Sequence, residues 1–121
     1  MKEKDALGRR GEGIAAEHLA NAGFRIVERN WRCPVGEIDI VARDGPELVV
    51  VEVKTRSSVA YGHPFEAITP AKLKRLHLLA AAYLAAHPEL RSVRTRIDVL
   101  GVIAPSRGGA APSVEHLREV Q

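Results

Sequence analysis

The sequence predicts an α/β domain in the order α-β-β-β-α-β, with a mixed central sheet flanked by helices. Three observations carry that expectation. Two segments of helical periodicity, each with recognisable end signals, enclose three segments of strand character. One of those, Leu48 to Lys54, is β-branched and nearly all apolar, as a strand covered on both faces must be. Between it and the strand before lies Asp44-Gly45-Pro46, a tight-turn signal that makes the two an antiparallel hairpin. At 121 residues the chain is long enough for one domain with a sizeable core, and we read residues 1–121 as that domain with a tail from about Ala104.

The first helix is expected from about Ala6 to Ala22. Leu7, Ile14, Ala15, Leu19 and Ala20 follow the 3.6-residue period, and Gly23 sits where a left-handed cap closes a helix. Gly8, Gly11 and Gly13 each weaken it by about 1 kcal/mol relative to alanine, so they mark either close approach to a neighbour or fraying. Strands follow at Phe24–Trp31, ending in a turn around Arg32-Cys33-Pro34, then at Glu37–Arg43 and at Leu48–Lys54. A polar loop from Thr55 to Ile68 precedes Thr69-Pro70, an N-cap followed by the proline that suits a first helical position. Leu73, Leu76, Leu79, Ala80, Tyr83 and Leu84 give this second helix its buried stripe, and Pro88 lies beyond its end. A last firm strand spans about Val93 to Ile103. The tail holds a Gly-Gly-Ala-Ala-Pro linker and then Val114 to Val120, an edge strand or a short helix.

Composition excludes several classes. With 45% hydrophobic and 27% charged residues the chain is neither disordered nor of low complexity. One cysteine, Cys33, forms no internal disulfide and no multi-cysteine zinc site. The longest apolar run, Leu78 to Ala86, is nine residues, against about 20 for a membrane span. The charged start, Met1-Lys2-Glu3-Lys4-Asp5, lacks the apolar core of a secretory signal, so a cytoplasmic location and no membrane partner are expected. Aromatics amount to 4%, too few for a broad base-stacking platform. No phosphate-binding glycine loop and no HExxH-type histidine spacing occurs. Of the five histidines, only His63, in the loop after the third strand, is placed to matter.

Net charge is +3, with an isoelectric point near 9.4, and its distribution is uneven. Five acids (Glu37, Asp39, Asp44, Glu47, Glu52) and one base (Arg43) lie between Gly36 and Val53. Five bases (Lys54, Arg56, Lys72, Lys74, Arg75) and one acid (Glu66) lie between Lys54 and Arg75. An acidic segment beside basic ones suits a cation site within a polyanion-binding surface, though clustered surface charge would look the same.

The hairpin carries the chemistry. Glu52 and Lys54 interrupt the most apolar strand and, two residues apart, leave the same face. Suppose Ile38 faces Val53 and Ile40 faces Val51, burying four β-branched residues together. Asp39 then faces Glu52, and Glu37 faces Lys54, which gives Glu37 a salt-bridging role. Opposed side chains lie about 5 Å apart at Cβ, within reach of one divalent cation. Asp39 and Glu52, helped by the Val53 carbonyl, would hold Mg²⁺ or Mn²⁺, which supplies a polarised phosphodiester and an activated water. Lys54 would orient that water or stabilise developing negative charge. An edge strand with protective charges and a plain salt bridge is the competing explanation.

Several runs carry a resemblance: Gly11-Glu12, Arg29-Asn30-Trp31, Gly36-Glu37-Ile38-Asp39-Ile40-Val41, Val51-Glu52-Val53-Lys54-Thr55-Arg56, Lys72 with Arg75-Leu76, Tyr83-Leu84 and Arg96-Ile97-Asp98-Val99. Over about residues 8 to 103 the chain resembles the YraN family of small bacterial proteins. That family is similar to Holliday-junction resolvases and is placed among the PD-(D/E)xK nucleases, which share a restriction-endonuclease-like core. Ile97 stands where the family commonly has phenylalanine, a difference of packing. The resemblance implies Asp39, Glu52 and Lys54 as a catalytic trio and Glu12 as a helix-borne acid at the metal; taken alone, Glu12 reads as a solvated helix residue. It implies a metal-dependent endonuclease acting on DNA, branched or processed, or else a nucleic-acid-binding module of the same fold without activity. Arg9, Arg10, Arg56, Lys72 and Arg75 are candidate phosphate contacts. The modest charge and short chain suggest that a homodimer or a partner helps to grip DNA. Asp98 reads as structural, bonded to backbone or an arginine, and Cys33 as inert.

Overall fold

The computed structural model describes residues 5–106 and 109–121. The charged start at residues 1–4 and residues 107–108, the latter including the first glycine of the tail linker, lie outside them. The elements are α1 (Ala6–Asn21), β1 (Arg25–Cys33), β2 (Gly36–Asp44), β3 (Glu47–Arg56), α2 (Pro70–Ala86), β4 (Thr95–Ile103) and β5 (Ser113–Leu117). Short 3₁₀ turns at Pro64–Ala67 and Pro88–Leu90 flank α2. The tail thus supplies an edge strand, the first of the two expected alternatives. The sheet is five-stranded in the order β1-β2-β3-β4-β5. Only β3 and β4 run parallel, and α2 makes the crossover between them. This mixed, helix-flanked sheet is consistent with a restriction-endonuclease-like core.

Local chemistry explains the boundaries. Asp5 caps α1 by accepting from the Gly8 amide at 2.7 Å, and Gly23 ends the turn beyond it at φ +93°. Gly11 is the helical glycine that a neighbour requires, since a Cβ there would lie 1.8 Å from Thr55 Oγ1 of β3. Gly13 meets nothing, so its absence of a side chain serves no packing purpose. Thr69 caps α2 from its side chain, with Pro70 in the first position. Gly45, at φ +58°, precedes Pro46 in the two-residue β2–β3 turn, the order of a II′ hairpin. β1 runs two residues further than expected, to Cys33, which still pairs with Gly36 and leaves Pro34-Val35 as the connection.

Two apolar layers cover the sheet. Ala15, Leu19 and Phe24 pack with Ile40, Ala42, Val49, Val51, Leu100 and Val102 on the α1 side. Leu76, Leu79, Ala80 and Tyr83 of α2 pack with Val41, Leu48, Val50 and Ile97 on the other. Val49, Val50 and Val51 are fully buried, as a middle strand requires.

One expectation is corrected here. Ile38 does not share the α1 side with Ile40; it packs in the α2 layer, beside Trp31 and Cys33. The alternation of β2 therefore slips between Ile38 and Ile40. Two irregularities of β1 accompany the slip: a register shift between Ile26 and Glu28, and Asn30 in the left-handed region at φ +56°. Asn30 lies between Arg29 and Trp31, which pair with Ile40 and Ile38, so it stands across from Asp39.

Candidate functional site

The paired ladder of β2 and β3 runs from Asp44↔Glu47 to Ile40↔Val51. The register is the expected one, and its last pair adjoins Asp39 and Glu52. Beyond it the backbone bonding changes: the Val53 amide donates to Asp39 Oδ2 at 2.8 Å. A carboxylate has taken a strand donor at the point where the hairpin opens. Because a strand residue's N–H and C=O leave on the same side, the Val53 carbonyl points to that opening as well.

Asp39 and Glu52 are 7% and 8% exposed, so two acids sit together largely out of water. Burial first, and then the negative charge of Asp39, pushes the Glu52 carboxyl up to about 7. The ammonium of Lys72, 2.9 Å from Glu52 Oε2, pulls in the opposite direction. Lys72 comes from the first turn of α2, whose place is set by the Thr69 cap. Glu52 alternates with Leu48 and Val50 of the α2 layer, and so meets that helix.

Lys54, half-buried, alternates onto the face of Glu52 and has no ion-pair partner among the described residues. Its neighbour on β4 is Gly101, where a Cβ would come within 2.9 Å of Phe65. The Pro64–Ala67 turn thus lies against the sheet beside Lys54.

The other predicted residues fall elsewhere. Glu37 is not matched with Lys54: it accepts from Arg32 Nε at 3.0 Å, because Arg32 is its register partner across β1–β2. Glu12, 2% exposed in the α1 layer, has Arg29 Nη2 at 3.5 Å. Among the described residues no three of His, Cys, Asp and Glu converge as a metal cluster, so Glu12 does not join Asp39 and Glu52 in one. Arg10 donates to the carbonyls of Ala104 (3.2 Å) and Pro105 (2.9 Å), beyond the end of β4. Arg56 lies beside it, since its own carbonyl accepts from the Ala104 amide at 2.8 Å. Its Nε is buried with no hydrogen-bond partner among the described residues. Arg9 and Arg75 are exposed, and Arg75 sits one turn from Lys72 on α2. Lys72, expected on a phosphate-binding rim, instead reaches into the acid pair.

The donor set fits a magnesium-type ion. Mg²⁺ keeps several waters and is commonly held by one or two carboxylates, which Asp39 and Glu52 supply, with the Val53 carbonyl beside them. It lacks the imidazole and thiolate donors that zinc prefers. Lys72 neutralises Glu52 in this arrangement, and its side chain is 36% exposed.

A second ionic group was only partly foreseen. Asp98 is fully buried and accepts from Arg96 Nε (3.0 Å) and the Glu119 amide (2.9 Å), the structural role expected of it. His116 Nε2 lies 2.8 Å away from it. Burial raises the Asp98 carboxyl, but bonds from His116, Arg96 and Glu119 outweigh it and bring it down to about 2. Arg96 also bonds Asp44 (2.8 Å) and Glu47. These contacts tie the tail to β3 and β4, and each charge is answered, so the group reads as a structural clasp. His63, singled out in the loop, accepts from the Phe65 amide through Nδ1 and meets Glu115 of β5 at 2.7 Å. A His-Asp pair split between residues 98 and 116 gives no local sequence signal.

Comparison with known proteins agrees in breadth. The model of a family described as "Uncharacterised protein family UPF0102" matches residues 11–102. A "UPF0102 protein" of Paenarthrobacter aurescens is 58% identical over 120 residues, 99% of this chain and 97% of its own. Those of Arthrobacter sp. strain FB24 and Streptomyces griseus are 59% and 52% identical over 120 residues, each with 99% of both chains covered.

Proposed function

Since the chain belongs to the uncharacterised protein family UPF0102, the YraN family, and that description assigns no reaction, we propose from the site itself that it is a metal-dependent endonuclease. Its substrate is a phosphodiester of DNA, branched or processed. The observation that carries this reading is the pair of largely buried carboxylates, Asp39 and Glu52, at the open end of a hairpin. Such a pair is costly without a cation, and that cost is written in the raised Glu52 carboxyl.

Mg²⁺ or Mn²⁺ bound by Asp39, Glu52 and the Val53 carbonyl supplies Lewis acidity at a phosphoryl oxygen and a water of lowered pKa. Asp39, bonded to the Val53 amide, fixes that carbonyl relative to both acids. Lys54 presents an ammonium to the attacked phosphate from the face of Glu52, where it stabilises the charge that develops. Lys72 holds Glu52 in the metal-free protein; once released, its ammonium turns to the nucleic-acid backbone together with Arg75. Arg9, Arg10 and Arg56 extend the phosphate track across the far ends of β3 and β4. The described residues form one such site, so cutting both strands of a branch takes two copies.

The ion pair of Lys72 with Glu52 favours a second reading, a module that binds nucleic acid with Lys72 permanently in the cation's place. Incubation with linear, nicked and four-way-junction DNA in Mg²⁺ or Mn²⁺ separates the two. The enzyme cuts at least one substrate, whereas Asp39→Ala, Glu52→Ala and Lys54→Ala bind without cutting. Equal traces of cutting by all four proteins leave only the binding module.

A further inference from the structure

The loop that leaves β3 carries a feature the proposed chemistry does not use. Tyr61 is 93% exposed and Val59 61%, the most exposed large apolar side chains among the described residues. Tyr61 makes no ring contact there.

The surroundings hold this tip firmly. The Gly62 amide donates to the Val59 carbonyl at 3.0 Å and the Ala60 amide to Ser58 Oγ at 3.2 Å, closing a turn around the tyrosine. Gly62 takes φ +111°, where any side chain would be strained and would strike Glu66. Glu66 accepts from the His63 amide at 2.5 Å, and His63 caps the 3₁₀ turn while reaching Glu115. The other end is pinned where Ala104 bonds the Arg56 carbonyl. A fixed turn with a bare aromatic ring at its tip is preorganised for contact, because little side-chain or loop freedom is left to lose.

Charge and position indicate the partner. Lys54 and Arg56 precede the loop, and Lys72 and Arg75 follow it. Three Cα steps lead from Tyr61 to Pro64, at most about 11 Å of chain. Pro64 packs on Gly101, and Gly101 is the strand neighbour of Lys54. Tyr61 therefore lies within about 20 Å of Lys54, no more than roughly six stacked nucleotides.

We infer that Tyr61 is a stacking post for an unpaired nucleobase, directing the site to DNA that has single-stranded character beside a duplex. This rests on the reading of the site as one that acts on DNA. Continuous duplex keeps its bases stacked inside and offers the ring nothing, whereas a fork or gap presents a free face. The phenol hydroxyl is dispensable to stacking, so phenylalanine serves equally.

The test is binding without metal, to a forked DNA with 2-aminopurine in its unpaired arm and to a blunt duplex of equal length. Wild type and Tyr61→Phe should prefer the fork and quench the 2-aminopurine on binding. Tyr61→Ala should lose about tenfold in fork affinity, together with the quenching, and bind the duplex as wild type does. Wild-type fork affinity and quenching in Tyr61→Ala overturn the stacking post, and leave the exposed tyrosine to a protein partner. If wild type still cuts DNA and Asp39→Ala does not, the endonuclease reading survives that result. Failure of metal-free wild type to bind the fork overturns the stacking post, while cutting in Mg²⁺ or Mn²⁺ decides the endonuclease reading separately.

Discussion

Replacing Glu52 with glutamine should stabilise the metal-free protein, and do so only when the pH is high enough to charge the native carboxyl. In the unfolded chain this group ionises at its ordinary 4.5; in the fold, burial and then Asp39 push it up to about 7. An acid whose native pKa is raised is protonated longer in the folded state. The native protein therefore binds more protons between pH 4.5 and 7, and stability falls as pH rises through that window. A gap of about 2.5 units at 1.36 kcal/mol each amounts to about 3 kcal/mol by pH 8. Glutamine keeps the shape and carries no charge, and Lys72 can turn to water. Urea unfolding of both proteins from pH 4.5 to 8.5 reads the effect. The variant's advantage over wild type should grow by about 3 kcal/mol across the window and then level off. An advantage that stays constant with pH, or wild type gaining on the variant as pH rises, would refute the claim that Glu52 is a strained acid.

Other consequences concern the frame around that pair. Gly11→Ala should destabilise the protein by about 1–3 kcal/mol despite alanine's better helix propensity, because the new methyl collides with Thr55; denaturant midpoints measure it, and a gain in stability would show that α1 can lift off β3. Asn30→Val should cost about 1–2 kcal/mol more than Asn30→Gly through its left-handed backbone, again by denaturant unfolding. Asp98→Ala takes one acceptor from buried Arg96, which keeps Asp44 and Glu47, and strips His116 and the Glu119 amide of theirs, so it should cost about 1–3 kcal/mol. In wild type the Asp98 contribution is complete above pH 4 and lost as pH falls toward about 2, so an acid titration of Asp98→Asn should lack that part of the transition.

Much of this was legible from residues a few positions apart. Glu52-x-Lys54 in an apolar strand, the Gly45-Pro46 turn and the Thr69-Pro70 cap each act within a few residues, where period and turn chemistry suffice. The register followed because setting Ile40 against Val51 keeps apolar residues together and the carboxylates of β2 and β3 on one face. The side of Ile38 did not follow, since strict alternation held only as far as Ile40, and the irregular Asn30 sits on another strand. The contact of Lys72 with Glu52 spans the whole β3–α2 connection, so neighbouring residues carry no signal for it. The Asp98–His116 contact likewise joins strands paired only in three dimensions.

The most direct measurement is a crystal of the protein soaked in Mn²⁺ and recorded at a wavelength where manganese scatters anomalously. The account predicts a peak within about 2.2 Å of carboxylate oxygens from both Asp39 and Glu52, beside the Val53 carbonyl, with Lys72 turned away. Both acids left bare at saturating Mn²⁺, with Lys72 still on Glu52, would contradict it.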